Sequence, residues 1–146
     1  MSERRVDDIR IRQTRPLIQP AILTEEIPRS ERHSDVVFEA RAVIESIIRG
    51  EDSRVLVIAG PCSVHDPDAC LEYATKLKQA HHDYSGKLYI VMRAYFEKPR
   101  TVDGWKGLIN DPELDGTHKI NKGLRLARGF LRDLAEIGIP AGTEFL

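Results

Sequence analysis

At 146 residues, with 41% hydrophobic and 31% charged side chains, the chain has the size and balance of one soluble domain that can bury a core. Its net charge of −1 argues against a general nucleic-acid binder, which needs a strongly basic face. No apolar run approaches the roughly 18 residues of a membrane span. Two cysteines are too few for a disulfide framework and read as reduced thiols of a cytoplasmic protein; the polar start MSERRVDDIRIRQ is not a secretory signal.

In chain order, residues 1 to about 33 are charge-rich and broken by Pro16, Pro20 and Pro28. No single period is sustained there, and the stretch reads as an arm that packs on something else. Val36, Val37, Ala40, Val43, Ile44, Ile47 and Ile48 then fall at helical spacing, with Ser34 as N-cap and Gly50 just past the end. This divides the chain into an arm and helix over 1–50 and a second unit over 51–146. Val55 to Ala59 is a β-branched run without polar alternation, as a parallel strand covered on both faces requires. Asp66-Pro67 opens a helix with a cap and a proline at its first position, and Cys70, Tyr73, Ala74 and Leu77 form its apolar stripe. A second strand covers Leu88 to Ala94. A polar loop follows over 97–118, and then a helix with Ile120, Leu124, Ala127, Leu131 and Leu134 on one face stops at Gly138. The closing PAGTEFL looks like the opening of a third strand.

Strand, helix, strand, helix, strand predicts an α/β fold with a parallel sheet, which binds ligands at the carboxyl ends of its strands. A (β/α)8 barrel needs about 250 residues. The expectation is therefore the first part of such a barrel preceded by an N-terminal extension, with a small three-stranded α/β domain as the alternative.

Both chemically capable stretches sit at predicted strand ends. In VLVIAGPCSVHDP the pair Gly60-Pro61 turns the chain and presents Cys62, either a thiolate for a divalent transition metal or an inert small hydrophobe. Cys70 lies on an apolar stripe and reads as core, and His65 reads as a loop or capping residue. In VMRAYFEKPRT, Arg93 breaks an apolar strand and needs an anionic partner, whether a bound substrate or a salt bridge to Glu97 or Asp103. Pro99 restricts the backbone between Lys98 and Arg100, and these cations suit phosphate or carboxylate. The basic residues Lys119, Lys122, Arg125, Arg128 and Arg132 fall largely off the apolar stripe of the last helix and read as a solvated face. His81-His82 reads as a helix end.

GPCSVHDP, then VMRAYFEKPRT, then GWKGLINDP (104–112) together resemble the class I, microbial, feedback-regulated 3-deoxy-D-arabino-heptulosonate 7-phosphate synthases. The chain is similar to their N-terminal portion, including VDDIRI and PAGTEFL. The resemblance implies condensation of phosphoenolpyruvate with D-erythrose 4-phosphate and release of phosphate, the first step of the shikimate pathway. It implies that Cys62 is a ligand of a divalent metal (Mn, Fe or Zn), with the remaining ligands beyond Leu146. Arg93 and Lys98 would bind phosphoenolpyruvate, Arg100 and Thr101 the sugar phosphate, with Pro99 beside them; Lys98 is the catalytic candidate. The arm would help form a homo-oligomer, dimer or tetramer, and the site of an aromatic amino acid inhibitor held by Asp7 and Asp8. With one metal ligand in hand, the 146-residue chain alone is expected to be inactive.

Two other functions compete. The synthase that uses arabinose 5-phosphate resembles the metal-site motif but has a different, asparagine-containing loop in place of KPRT, and it lacks the arm. A non-catalytic amino-acid-binding or dimerisation module is the reading from another class.

Overall fold

The computed structural model describes residues 7–11, 13–98 and 103–144. Pro99, Arg100 and Thr101 fall outside the described residues. A short helix α1 (Pro20–Glu26) is followed by α2 (Glu31–Ile48), β1 (Val55–Ala59), α3 (Pro67–Asp83), β2 (Leu88–Arg93), α4 (Ile120–Ile137) and β3 (Ala141–Gly142). The strands form one parallel sheet in the order β1-β2-β3, with Val55 opposite Leu88, Ala59 opposite Met92 and Arg93 opposite Gly142. The expected parallel α/β pattern is present.

Side-chain alternation along the central strand explains the unbroken apolar runs. Met92 points to a core built with Val64, Cys70, Ala74, Phe96, Leu108, Ala127, Phe130, Leu134 and Ile139, beneath α3 and α4. Tyr89 and Val91 point the other way and pack on Ala40, Val43, Ile44 and Ile47 of α2. The sheet is thus sandwiched between α2 and the α3/α4 pair. Among the described residues β1 pairs only with β2, and Val55 and Ile58 are 60% and 62% exposed. The expectation that β1 is covered on both faces is therefore corrected: β2 supplies side chains to the clusters on both faces of the sheet, whereas Leu56 is the β1 residue packed against one of them.

Three helix assignments also change. α2 begins at Glu31, because Ser30 and not Ser34 is its cap: the Ser30 hydroxyl accepts the His33 amide at 3.2 Å while the Ser30 amide donates to His33 Nδ1 at 3.1 Å. This is a capping box in which histidine replaces the usual Glu or Gln. α1 interrupts the supposed arm, using Pro20 as a helix start, where a proline lacks nothing that the first turn needs. On α4 the buried set is Gly123, Ala127, Phe130, Leu134 and Ala135, so the stripe is centred further round the helix than Leu124 and Leu131 suggested. Asp66 caps α3 by accepting the Ala69 amide, and Gly138 (φ +81°) ends α4 in the left-handed conformation, both as expected.

The segment after β2 is more than a polar loop. Glu97 bridges Gly107 in antiparallel fashion, Leu108 is buried, and Trp105 and Ile109 pack on the core. Trp105 Nε1 donates to the carbonyl of Asp111 at 2.7 Å, and the buried Asp111 carboxylate accepts the Gly116 amide at 3.1 Å. Gly123 has no room for a side chain, since a Cβ there would overlap the backbone of Ile109. The loop is therefore seated directly on α4.

Candidate active site at the strand exits

The chain leaving β1 is pressed against the chain leaving β2. A Cβ on Gly60 would run into the carbonyl oxygen of Arg93 and sit 3.0 Å from its amide nitrogen and Cβ. Only glycine permits that approach, which explains its place before Pro61. One turn later, Val64 donates its amide to the carbonyl of Tyr95 at 2.7 Å. Two strand exits pinned to each other in this way carry the residues between them into a common rim.

Cys62 and Arg93 meet on that rim. Arg93 Nη2 donates to the Cys62 carbonyl at 3.2 Å, and the guanidinium lies 4.1 Å from the centroid of the Tyr95 ring. The cation–π contact is worth about 0.5–1 kcal/mol and helps hold the guanidinium in place. Neither Glu97 nor Asp103 pairs with Arg93: among the described residues Arg93 forms no ion pair, and its Nε is shut away from solvent without a protein acceptor. The salt-bridge alternative is thereby removed. A guanidinium has five N–H donors, and one of them is used here by a neutral carbonyl. The arrangement suits a planar anion.

The two thiols separate as the sequence suggested. Cys62 is exposed and Cys70 is buried; burial, with the Asp66 carboxylate, pushes the Cys70 thiol up and keeps it neutral. His65 is exposed. No group of three or more His, Cys, Asp and Glu gathers among the described residues. Cys62 thus fits as one donor, and the described residues do not form a metal centre by themselves.

Lys98 stands at the head of the next segment. Its amide donates to the Lys106 carbonyl at 2.9 Å, beside the Glu97–Gly107 bridge. Just before it the amides of Phe96 and Glu97 both donate to Glu144 Oε1, at 2.8 and 2.7 Å, while Thr143 Oγ1 donates to Glu144 Oε2 at 2.9 Å. Burial pushes the Glu144 carboxyl up, but its own amide, those of Glu97 and Phe96, and the Thr143 hydroxyl outweigh it and hold the group below the ordinary carboxylate value. Sequence reasoning missed Glu144: a lone glutamate after a short strand carries no local signal of what its side chain reaches.

The basic face of α4 is not simply solvated, a further correction. Asn121 accepts the Ile18 amide at 2.9 Å and donates to the Pro16 carbonyl at 3.0 Å. Arg125 forks onto Glu26, Arg128 donates to the Ile27 carbonyl, and Arg32 and His33 of α2 meet Glu136. Lys119 and Lys122 pair with Glu113. Arg132 pairs with its neighbour Asp133. The face clasps the N-terminal segment. Asp7 and Asp8 lie exposed further along that segment, Asp8 at φ +52° with its carbonyl accepting the Ile11 amide. No helix among the described residues is long and apolar enough to cross a membrane.

Comparison with known proteins agrees with this architecture. The chain is 50% identical over 140 residues to the Phe-sensitive phospho-2-dehydro-3-deoxyheptonate aldolase of Escherichia coli K12, covering 96% of this chain and 40% of that protein. It is 49% identical over 142 residues to the Trp-sensitive enzyme of the same strain, covering 97% and 41%. A relative in Amycolatopsis methanolica is 50% identical over 131 residues, covering 90% and 64%. The solved structure of phospho-2-dehydro-3-deoxyheptonate aldolase from Francisella tularensis SCHU S4 superposes with a TM-score of 0.90 at 51% identity, covering 93% of this chain and 40% of that one. The chain thus spans about 40% of the length of the Escherichia coli enzymes. Residues 26–146 match the profile of the DAHP synthetase I family, and the chain belongs to that family.

Proposed function

We propose that this chain supplies the substrate-gathering rim of a 3-deoxy-7-phosphoheptulonate synthase, which condenses phosphoenolpyruvate with D-erythrose 4-phosphate and releases phosphate. The observation that carries the reading is Arg93: a half-buried guanidinium at a strand exit, over the Tyr95 ring, without a carboxylate partner among the described residues. Arg93 and Lys98 bind phosphoenolpyruvate, and Arg100 and Thr101, next to Pro99, bind the phosphate of the sugar. Two anionic substrates repel each other, so concentrated positive charge is needed to hold them within reacting distance. Lys98 is the catalytic candidate, its ammonium meeting phosphoenolpyruvate in this reading; its support is the position of Lys98 just after the exit of β2.

Cys62 would hold one position of a divalent metal (Mn, Fe or Zn), with the other ligands supplied from outside the described residues; when bound, the metal supplies Lewis-acid polarisation. In this reading residues 51–146 are the first β/α units of a (β/α)8 barrel, and residues 1–50 form a regulatory and dimerisation arm. Asp7 and Asp8 meet the amino group of an aromatic amino acid inhibitor, and the enzyme works in the cytoplasm as a homo-oligomer, dimer or tetramer.

The test is phosphate release by the intact synthase that carries this chain. Release from phosphoenolpyruvate plus erythrose 4-phosphate, not sustained when arabinose 5-phosphate replaces the sugar, is expected. Equal turnover with arabinose 5-phosphate, or none with either sugar, overturns the reading.

A further inference from the structure

We propose that Glu144 is a positioning residue for Lys98, a clamp across the exits of β2 and β3 that sets where the ammonium stands. The inference rests on the synthase reading above, in which Lys98 meets phosphoenolpyruvate. Its evidence is the bonding of three consecutive amides. Phe96 and Glu97 donate to one carboxylate oxygen of Glu144, and Lys98 donates to the carbonyl of Lys106. The segment that carries Lys98 is therefore held twice, by Glu144 just after β3 and by Lys106 further along its own loop.

These contacts engage both oxygens of Glu144. Oε1 takes two backbone amides and Oε2 takes the Thr143 hydroxyl. A carboxylate with both oxygens engaged in this way is an acceptor and not a proton donor. The grip is also long-range, since 48 residues separate Phe96 from Glu144. It joins the end of β2 to the end of β3 where the strands themselves pair over only Met92–Ala141 and Arg93–Gly142. Among the described residues no further strand pairing follows that short ladder, and the next amides along the chain, those of Phe96 and Glu97, go to the Glu144 side chain instead. Loss of the carboxylate strands two amides at a part-buried site, and the segment must move to hydrate them.

Glutamine separates positioning from chemistry. Glu144→Gln keeps an oxygen for the two amides and turns an amide group toward Thr143, whose hydroxyl then accepts; Glu144→Ala keeps nothing. In the intact synthase, the expected results are amide exchange at Phe96 and Glu97 faster by about tenfold or more in Glu144→Ala, and a KM for phosphoenolpyruvate raised by about the same factor. Glu144→Gln is expected to keep the amides protected, KM within about threefold of the parent, and the pH profile unchanged. Unaltered exchange in Glu144→Ala overturns the proposal. So does a Glu144→Gln variant that is inactive while its amides remain protected, because Glu144 would then act on the reaction itself. If Glu144→Ala does not fold, Glu144→Gln decides alone: protected amides with near-parental KM support the clamp, and loss of either refutes it. A parent protein with no synthase activity refutes the functional reading, and the exchange measurement still reports on the clamp.

Discussion

Gly60 and Arg93 touch backbone to backbone, and the position of the Cys62 carbonyl over the Arg93 guanidinium follows from that contact. The thiol-bearing turn and the cation-bearing strand are thus spaced by the van der Waals limits of a residue without a side chain. Gly60→Ala places a methyl group against the Arg93 carbonyl. The expected cost is about 1–3 kcal/mol of stability, read from denaturant unfolding, with phosphoenolpyruvate affinity falling as the two exits part. A variant as stable and as tight-binding as the parent would show that the contact is not limiting.

Arg93 is expected not to tolerate lysine. Arg93→Lys keeps the charge but loses both the planar fork and the stacking on Tyr95. Calorimetric titration of phosphoenolpyruvate into the intact synthase should show affinity reduced by about tenfold or more, the loss of one charge-assisted hydrogen bond. Because the side chain is only half-buried and forms no ion pair among the described residues, the melting temperature should change little. A large stability loss with unchanged affinity would restore a structural role for Arg93.

The two cysteines should differ sharply in reactivity. Cys62 is exposed, whereas Cys70 is buried with its thiol pushed up by desolvation and by Asp66. Brief treatment of the native protein with iodoacetamide, followed by peptide mass mapping, should label Cys62 and spare Cys70. Denaturant should make both labile. Equal native labelling would contradict the packing of α3 against the sheet.

Acid should release the N-terminal segment before it unfolds the core. Hydrogen bonding to Arg125 holds the Glu26 carboxyl below its ordinary 4.5, and His33, with Arg32, does the same for Glu136. A carboxylate with a depressed folded value stabilises the folded state above its unfolded value, and that contribution disappears as pH falls through the folded one. Detachment should therefore set in below about pH 4.5, and added salt should weaken the same contacts at neutral pH because they are exposed. Hydrogen exchange of residues 16–27 from pH 7 to pH 3 measures it. Protection that is constant across this range would show that Asn121 and Arg128 hold the segment without the ion pairs.

Much of the fold was legible because burial imprints itself on the chain at short range. The apolar run Leu88 to Ala94 reads as a strand, and Asp66-Pro67 and Gly138 read as helix boundaries, since each signal is completed within a few residues. Ser30 escaped notice because its partner in the capping box is a histidine, outside the usual pattern. The α4 stripe was misjudged by part of a turn because Gly123 is buried for its lack of a side chain, which hydrophobicity does not record.

By itself the sequence determined which chemistry arrives at the ends of β1 and β2: a thiol at Cys62, and cations at Arg93 and Lys98. The tertiary structure alone decided what those groups touch. Arg93 chose a carbonyl 31 residues away over two nearby carboxylates, Arg125 reached a glutamate 99 residues away, and Glu144 claimed amides nearly 50 residues before it. Periodicity reports how deeply a residue is buried, which its immediate neighbours dictate. Pairing depends on which distant loops packing brings together, and no local pattern encodes that distance.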